Sequence, residues 1–421
     1  TNESVYYGSQ FGFYSRVDRM SGERQFIRPQ HELGERPLRF NWQTPIHLSR
    51  HNQDILYYGA NRLYRSMNRG EDLQPISPDL TKGGMKGDVP YGTLTTIDES
   101  PMRFGLIYVG SDDGLIHVTR DGGFTWTRLD GNLPADVPDD LWVSRVEASN
   151  HEEGRVYATL NGYRWDHFDA YVFVSDDYGA TWTRVGRDLP AEPVNVVIED
   201  PENENVLFVG TDHAVYASLD RGESFMGFAS GMPNAPVHDL KIQQREKDLL
   251  IGTHGRSIFR ADLEQVQLLT DDVLAAAVHA FEVDPVMYRD GWGDRRASWS
   301  DAFEPSVEVP VFASEPGQAT VRVLTADGGE LLSFVTELAR GLQLMEYDLT
   351  VSEAGADVLR ADLESDETLD AADNGSLYLR PGTYTIRVEQ GGGTAETELE
   401  VRERGGGNVP EPAPREPPEI K

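Results

Sequence analysis

One eight-residue phrase limits what this chain can fold into. Ser175-Asp176-Asp177-Tyr178-Gly179-Ala180-Thr181-Trp182 places a hydroxyl and a carboxylate before a turn, a glycine inside it and an aromatic ring after it. Thr119-Arg120-Asp121-Gly122-Gly123-Phe124-Thr125-Trp126 repeats the phrase in full. Ser218-Leu219-Asp220-Arg221-Gly222-Glu223-Ser224-Phe225 repeats it with Ser and Phe in the last two places, and Ser66-Met67-Asn68-Arg69-Gly70 keeps the first half. Each residue type has a task. Asp121, Asp177 and Asp220, with the hydroxyls of Thr119, Ser175 and Ser218, are expected to hold the backbone donors of the turn; Gly123, Gly179 and Gly222 take a positive φ; Trp126, Trp182 and Phe225 pack beneath the hairpin. These are structural positions, because a carboxylate consumed by its own turn is not offered to a ligand. The phrases begin at 66, 119, 175 and 218, separated by 53, 56 and 43 residues, the period of four-stranded blades with their loops.

Apolar runs of strand length flank each phrase. Complete four-strand units are expected over 44–76, 92–129, 143–185 and 194–228. The runs 237–242, 249–252 and 257–262 supply three strands of a further unit, and 5–8, 12–15 and 25–27 supply the later strands of one whose first strand is missing. The fold class is therefore all-β, a β-propeller of about six blades with the first and last incomplete. Beyond it, 273–278 reads as a short helix or a packed connector strand. Residues 282–304 read as irregular, with Trp292 and Trp299 in a setting that suggests packing against a neighbouring domain. Strand patterns return over 307–312, 320–324, 331–334, 342–349, 377–379, 384–388 and 397–401, as expected of a β-sandwich. The domain reading is blades over 1–264, connector over 265–304, sandwich over 305–404 and a Pro/Gly-rich extended tail over 405–421.

Composition removes several function classes. With 71 acidic and 38 basic residues the net charge is -33, which opposes nucleic acid and anionic membrane, and no basic patch interrupts it. The absence of cysteine excludes disulfides, thiol catalysis and Cys-ligated zinc. No run approaches the roughly 20 apolar residues of a membrane span. The opening at Thr1, close to a strand, reads as that of a processed or fragmentary product.

The repeated phrases resemble Asp-boxes, also called BNR repeats, of the kind found in sialidases, tandem-propeller xyloglucanases and the sortilin (VPS10) luminal domain. Over roughly 1–265 the chain is similar to large bacterial BNR-repeat proteins labelled glycosyl hydrolase or sortilin-like. Tyr57-Tyr58-Gly59-Ala60-Asn61-Arg62-Leu63-Tyr64-Arg65-Ser66 and Gly252-Thr253-His254-Gly255-Arg256-Ser257 carry that likeness. Such proteins are much longer, so the resemblance implies either a cleaved polypeptide whose other piece, or a protein partner, completes the ring, or a sequence that holds the second half only. It also implies an extracytoplasmic location (secreted, periplasmic or cell-surface). Arg380-Pro381-Gly382-Thr383-Tyr384 and Gly341-Leu342 resemble the small Ig-like module at the C-terminus of such proteins and in the flagellar-hook-cap family.

In a four-stranded blade, successive hairpins alternate between the two faces of the disc, so the Asp-boxes occupy one face. The second-to-third turns and the interblade loops 79–91, 130–142, 187–193 and 231–236 fall on the other. That face is expected to carry Asp112 and Asp113; Tyr163, Arg164, Trp165, Asp166, His167 and Asp169; Asp212 and His213; and His254 with Arg256. Tyr163, Arg164, Trp165, Asp166, His167, His213, His254 and Arg256 are the ligand-binding candidates. The reading is a non-catalytic extracytoplasmic module that binds protein or glycan through this face. The alternative is a polysaccharide-directed glycoside hydrolase, drawing a carboxylate pair from Asp113, Asp166, Asp169 and Asp212 with Trp165 or Trp142 stacked on sugar. The arginine-led signature of sialidases is absent. No metal ligand set and no cofactor motif is present, so neither is expected.

Overall fold

The computed structural model describes residues 3–403 apart from 87–88, 229–230, 298 and 363–368, so the tail expected over 405–421 lies outside the described residues. The chain divides into two compact units between Gln267 and Leu268.

The first unit is a β-propeller whose blades are six antiparallel sheets met in chain order, each with its strands in sequence order. Blade 1 consists of Ser4–Ser9, Phe13–Asp18 and Arg24–Ile27. Blade 2 holds Ile46–Leu48, Leu56–Gly59, Leu63–Ser66 and Gln74–Pro75. Blade 3 holds Leu94–Glu99, Ile107–Ser111, Ile116–Thr119 and Thr127–Arg128. Blade 4 holds Trp142–Ala148, Val156–Asn161, Tyr171–Ser175 and Thr183–Val185. Blade 5 holds Val194–Glu199, Leu207–Thr211, Val215–Ser218 and Met226–Gly227. Blade 6 has three strands, Val237–Gln243, Asp248–Thr253 and Ile258–Asp262.

Burial follows from blades stacking on both sides of a blade. Every residue of Leu56–Gly59, Ile107–Ser111 and Leu207–Thr211 is buried, which is why these second strands read as unbroken apolar runs rather than alternating ones. Blade 1 differs. Tyr6, Tyr14 and Ile27 pack against blade 2, where the Tyr14 hydroxyl donates to the Thr44 carbonyl at 2.6 Å. Val5, Tyr7, Phe13 and Phe26 on the opposite face are exposed.

The four turn phrases build one network. In the copy at 175 the Ser175 hydroxyl donates to Asp177 and accepts from the Gly179 N–H, both at 2.8 Å. The Asp177 carboxylate then accepts from the backbone N–H and the hydroxyl of Thr181, each at 2.8 Å. Thr119, Asp121, Gly123 and Thr125 reproduce it, as do Ser218, Asp220, Gly222 and Ser224. The phrase at 66 is a full member too: Asn68 accepts from the Asp72 N–H at 3.0 Å, and Asp72 supplies the carboxylate that takes the Asn68 amide. Each turn glycine also has a second role. A Cβ on Gly70, Gly123, Gly179 or Gly222 would meet Ile27, Ile76, Leu129 or Val185, at the outer edge of the preceding blade. Trp126 belongs to the same contact, donating its indole N–H to the Ile76 carbonyl at 3.0 Å. The turn phrase is thus the joint between blades as well as a hairpin turn.

The second unit pairs a three-stranded sheet (Val278–Ala280, Val307–Ala313, Gly341–Tyr347) with a five-stranded one. The latter runs Val286–Met287, Gly393–Arg402, Gly382–Gln390, Gly317–Thr325, Glu330–Leu338 in spatial order. Val309, Val321, Ile386 and Leu399 share one core with Ala356 and Leu359 of the helix Glu353–Asp362. Two of these strands lie in the stretch read as connector, and Trp292 is buried in this unit's own core against Tyr288 and Tyr378. The run at 273–278 divides between a helix, Asp271–Ala275, and the start of a strand. No helix among the described residues is long and apolar enough to cross a membrane.

Candidate functional site

Each first strand of blades 3 to 6 carries one extra residue near its start. The register against the second strand slips between Leu94 and Thr96, Val143 and Arg145, Val194 and Val196, and Val237 and Asp239. Such a bulge re-aims the side chain it leaves unpaired, and here the four displaced residues, Thr95, Ser144, Asn195 and His238, all line one cavity. In the first two blades the displaced hydroxyl ties neighbouring blades together: Thr95 donates to the Val143 carbonyl at 2.6 Å and Ser144 to the Val194 carbonyl at 2.7 Å. In blades 5 and 6 an amide and an imidazole replace the hydroxyl.

The cavity has a volume of about 1230 Å³ and draws on all six blades. Its lining comes from the starts of the first strands (42–46, 95–97, Trp142, Ser144, Arg145, Asn195, His238 and Asp239) and from the second-to-third turns (8–10, Tyr163, Arg164, Phe168, Asp212, His213 and His254). These are the elements on the face away from the Asp-boxes. A polar row crosses it: the Asn161 amide donates to Asn195 at 2.8 Å, and the Asn195 amide donates to Asp212 at 2.9 Å. His213 lies 3.4 Å from Glu192. The rings of His238 and His254 are 5.0 Å apart, and burial, helped by the charge of His254, holds His238 below the ordinary histidine range. Arg145 pairs with Asp239. The Arg164 guanidinium lies 4.1 Å from the centre of the Trp142 ring, a cation–π contact.

Of the residues singled out in the sequence, Tyr163, Arg164, Asp212, His213 and His254 line the cavity. Trp165, Asp166, His167, Asp169 and Arg256 do not. Trp165 packs against the core shared by blades 3 and 4. His167 stacks on Tyr171 with ring centres 5.5 Å apart, and Asp166 closes the short 3-10 turn of 163–165 in a left-handed conformation. Asp169 lies 3.8 Å from His167. Asp113 is fully buried and accepts from the Ser111 hydroxyl at 2.6 Å and the Lys82 N–H at 2.7 Å; Asp112 accepts from the N–H groups of Gly92 and Thr93 and the Thr93 hydroxyl. Burial raises both carboxyls while these hydrogen bonds act against it. Both serve to hold interblade loops. Trp42, Asn161, Asn195, His238 and Asp239 were missed; Asn195 and His238 are placed by bulges that no single residue signals.

No pair drawn from Asp113, Asp166, Asp169 and Asp212 faces the cavity; its lining carboxylates are Asp212 and Asp239. A glycosidase acid is kept protonated by an apolar wall, whereas these two face an amide and a guanidinium. Among the described residues no group of three or more histidines and carboxylates is arranged to hold a metal ion.

Residues 170–282 match the model of the Sortilin-Vps10 family, described as sortilin, neurotensin receptor 3. No curated protein sequence matches the chain. Among solved structures it is similar to an ancestral GH74 enzyme, with 12% identity and a TM-score of 0.42 over 85% of this chain and 46% of that one. It is also similar to the GH74 xyloglucanase from Xanthomonas campestris, with 15% identity and a TM-score of 0.47 over 73% and 49%. A third is the extracellular domain of a putative hybrid two-component system from B. thetaiotaomicron, with 8% identity and a TM-score of 0.43 over 96% and 49%. The chain spans about half the length of these structures. Its first unit is a β-propeller of the Asp-box type, similar in its later blades to the Sortilin-Vps10 family.

Proposed function

We propose that the propeller is a non-catalytic, extracytoplasmic binding and assembly module that takes its ligand in the cavity opposite the Asp-boxes. The observation that carries this reading is the convergence of all six blades on one aromatic and polar cavity, served by the same bulge in four of them. Open pockets with a few placed polar groups are where ligands bind, and the carboxylates here carry partners that suit recognition better than proton transfer.

Assembly rests on the end blades. Val5-Tyr6-Tyr7-Gly8 reads like Leu56-Tyr57-Tyr58-Gly59, which is buried on both sides, yet Val5 and Tyr7 are exposed; Leu250 and Ile258 of blade 6 are exposed as well. Faces of that composition are met by protein, and the partner that fits is a polypeptide carrying further blades. A second unit of the Ig-like kind suits such a protein.

Incubation with a panel of polysaccharides tests the choice between binding and hydrolysis. The proposal predicts retention on a ligand without release of new reducing ends. Reducing-end release that Asp212→Asn or Asp239→Asn abolishes would replace it with the hydrolase.

A further inference from the structure

Among the described residues of the lining, Arg164 is an arginine without a carboxylate partner, unlike Arg145. It follows strand Val156–Asn161 in the 3-10 turn of 163–165, exposed at the cavity wall, with its guanidinium over the Trp142 ring. Among the described residues it has no ion-pair partner. Asp112 reaches it only through space, and the Asp112 oxygens are already committed to Gly92 and Thr93. The other arginine of the lining is different: Arg145 has Asp239. A guanidinium with no carboxylate of its own is available to an incoming anion, and its planar fork matches a carboxylate bidentately while an aromatic ring supports its face.

The surroundings indicate what bears that carboxylate. Trp42, Tyr163 and Phe168 are exposed aromatic residues of the lining, Trp42 being 50% exposed and Tyr163 61%. The row Asn161, Asn195, Asp212 offers amide and carboxylate groups side by side. Flat apolar platforms beside a row of donors and acceptors match the two surfaces of a pyranose ring, its C–H face and its hydroxyl rim. The volume, about 1230 Å³, exceeds the roughly 300–1,000 Å³ of pockets for drug-sized ligands and suits an oligomer. Resting on the cavity being the binding face, we infer that its ligand is an acidic oligosaccharide whose uronate carboxylate pairs with Arg164. The net charge of -33 opposes such a ligand at long range, so its affinity comes from short-range pairing and stacking.

Titration calorimetry on the full chain tests this, with tetragalacturonate and tetramannuronate, their carboxyl-reduced neutral forms, and a heptapeptide with a free or an amidated C-terminus. The expected result is binding of a uronate that weakens at least tenfold on carboxyl reduction and at least tenfold in Arg164→Gln, with the melting temperature of the variant unchanged. Arg164→Lys keeps part of the affinity, since it retains charge but loses the fork. Equal binding of acidic and neutral forms, equal binding by Arg164→Gln, or no uronate binding at all overturns the inference. Binding of only the free-carboxyl peptide through Arg164 overturns the sugar assignment. Neutral-sugar binding that survives Arg164→Gln and is lost in Asn195→Ala removes the uronate alone and keeps the cavity as the binding face. Release of reducing ends removes the binding-module reading itself.

Discussion

A side chain has no room at Gly123, and that makes a single residue a test of how the blades join. Its φ is +104°, and a Cβ there would stand 2.6 Å from the Ile76 carbonyl oxygen. Gly22, in the corresponding turn of blade 1, has a φ of +72° with nothing within 4 Å. Gly22→Ala is therefore expected to cost only the left-handed backbone, about 1–2 kcal/mol, while Gly123→Ala adds overpacking of about 1–3 kcal/mol. Urea unfolding of the two variants checks the difference, and equal losses would refute the joint. The inner strands offer a test by pH. Burial, with the charge of Asp98, pushes Glu147 from 4.5 up to about 7, and its Oε1 has no hydrogen-bond partner. The folded chain then keeps a proton that the unfolded chain releases above about pH 4.5, so this group's contribution to stability falls as the pH rises to about 7 and stays unfavourable above. Burial holds His47 down at about 3, with the opposite slope: stability falls below about pH 6.5 as the unfolded chain takes up a proton. Glu147→Gln is expected to gain stability at pH 8, on the order of 1–3 kcal/mol, with the gain vanishing near pH 4.5. A gain independent of pH would contradict the assignment. At this scale the sequence was legible where one residue does one local task, as Asp177 does in its turn. It put Arg164 on the binding face but did not distinguish it from Trp165, Asp166 and His167 beside it, since the charge partner it lacks is visible only in three dimensions.

The strand, rather than the residue, decides what the cavity contains. The pairs Leu94-Thr95, Val143-Ser144, Val194-Asn195 and Val237-His238 look unremarkable in sequence, because a bulge is a property of pairing and its partner strand lies elsewhere in the chain. Asn195 and His238 were invisible for that reason, whereas the strands themselves were plain from their apolar runs. Pairing between blades is similarly hidden. Glu199, in a first strand, accepts from the Ser149 hydroxyl at 2.8 Å, the Asn150 N–H at 2.6 Å and the Tyr157 hydroxyl at 3.1 Å, all on the preceding blade. Glu99 takes the hydroxyls of Ser49 and Tyr57 in the same way one hundred residues earlier, although no single-residue signal marks either glutamate. Glu199→Ala would leave these buried donors without an acceptor and is expected to cost about 2–4 kcal/mol. A double-mutant cycle with Tyr157→Phe should show a coupling of about 0.5–3 kcal/mol, and strict additivity would mean that the bond holds nothing together.

For the whole molecule, the claim is that the propeller works with protein on its end blades and ligand in its cavity. Blade 1 presents Val5, Tyr7, Phe13 and Phe26 on a face that blade 2 does not use, with Arg28 4.3 Å from the Phe13 ring and Arg24 5.2 Å from the Tyr7 ring. Among the described residues strand Ser4–Ser9 pairs only with Phe13–Asp18, which makes it an edge strand. The blade count was readable from the turn period, and the bareness of these faces was not, since their residues read as buried. The most direct measurement is the native mass of the protein isolated from its source, followed by peptide identification of whatever accompanies it. The account predicts a stable complex with a polypeptide of blade-type repeats, and protection of the amides of Ser4–Ser9 from exchange in that complex. A lone monomer, with those amides exchanging freely, would contradict it.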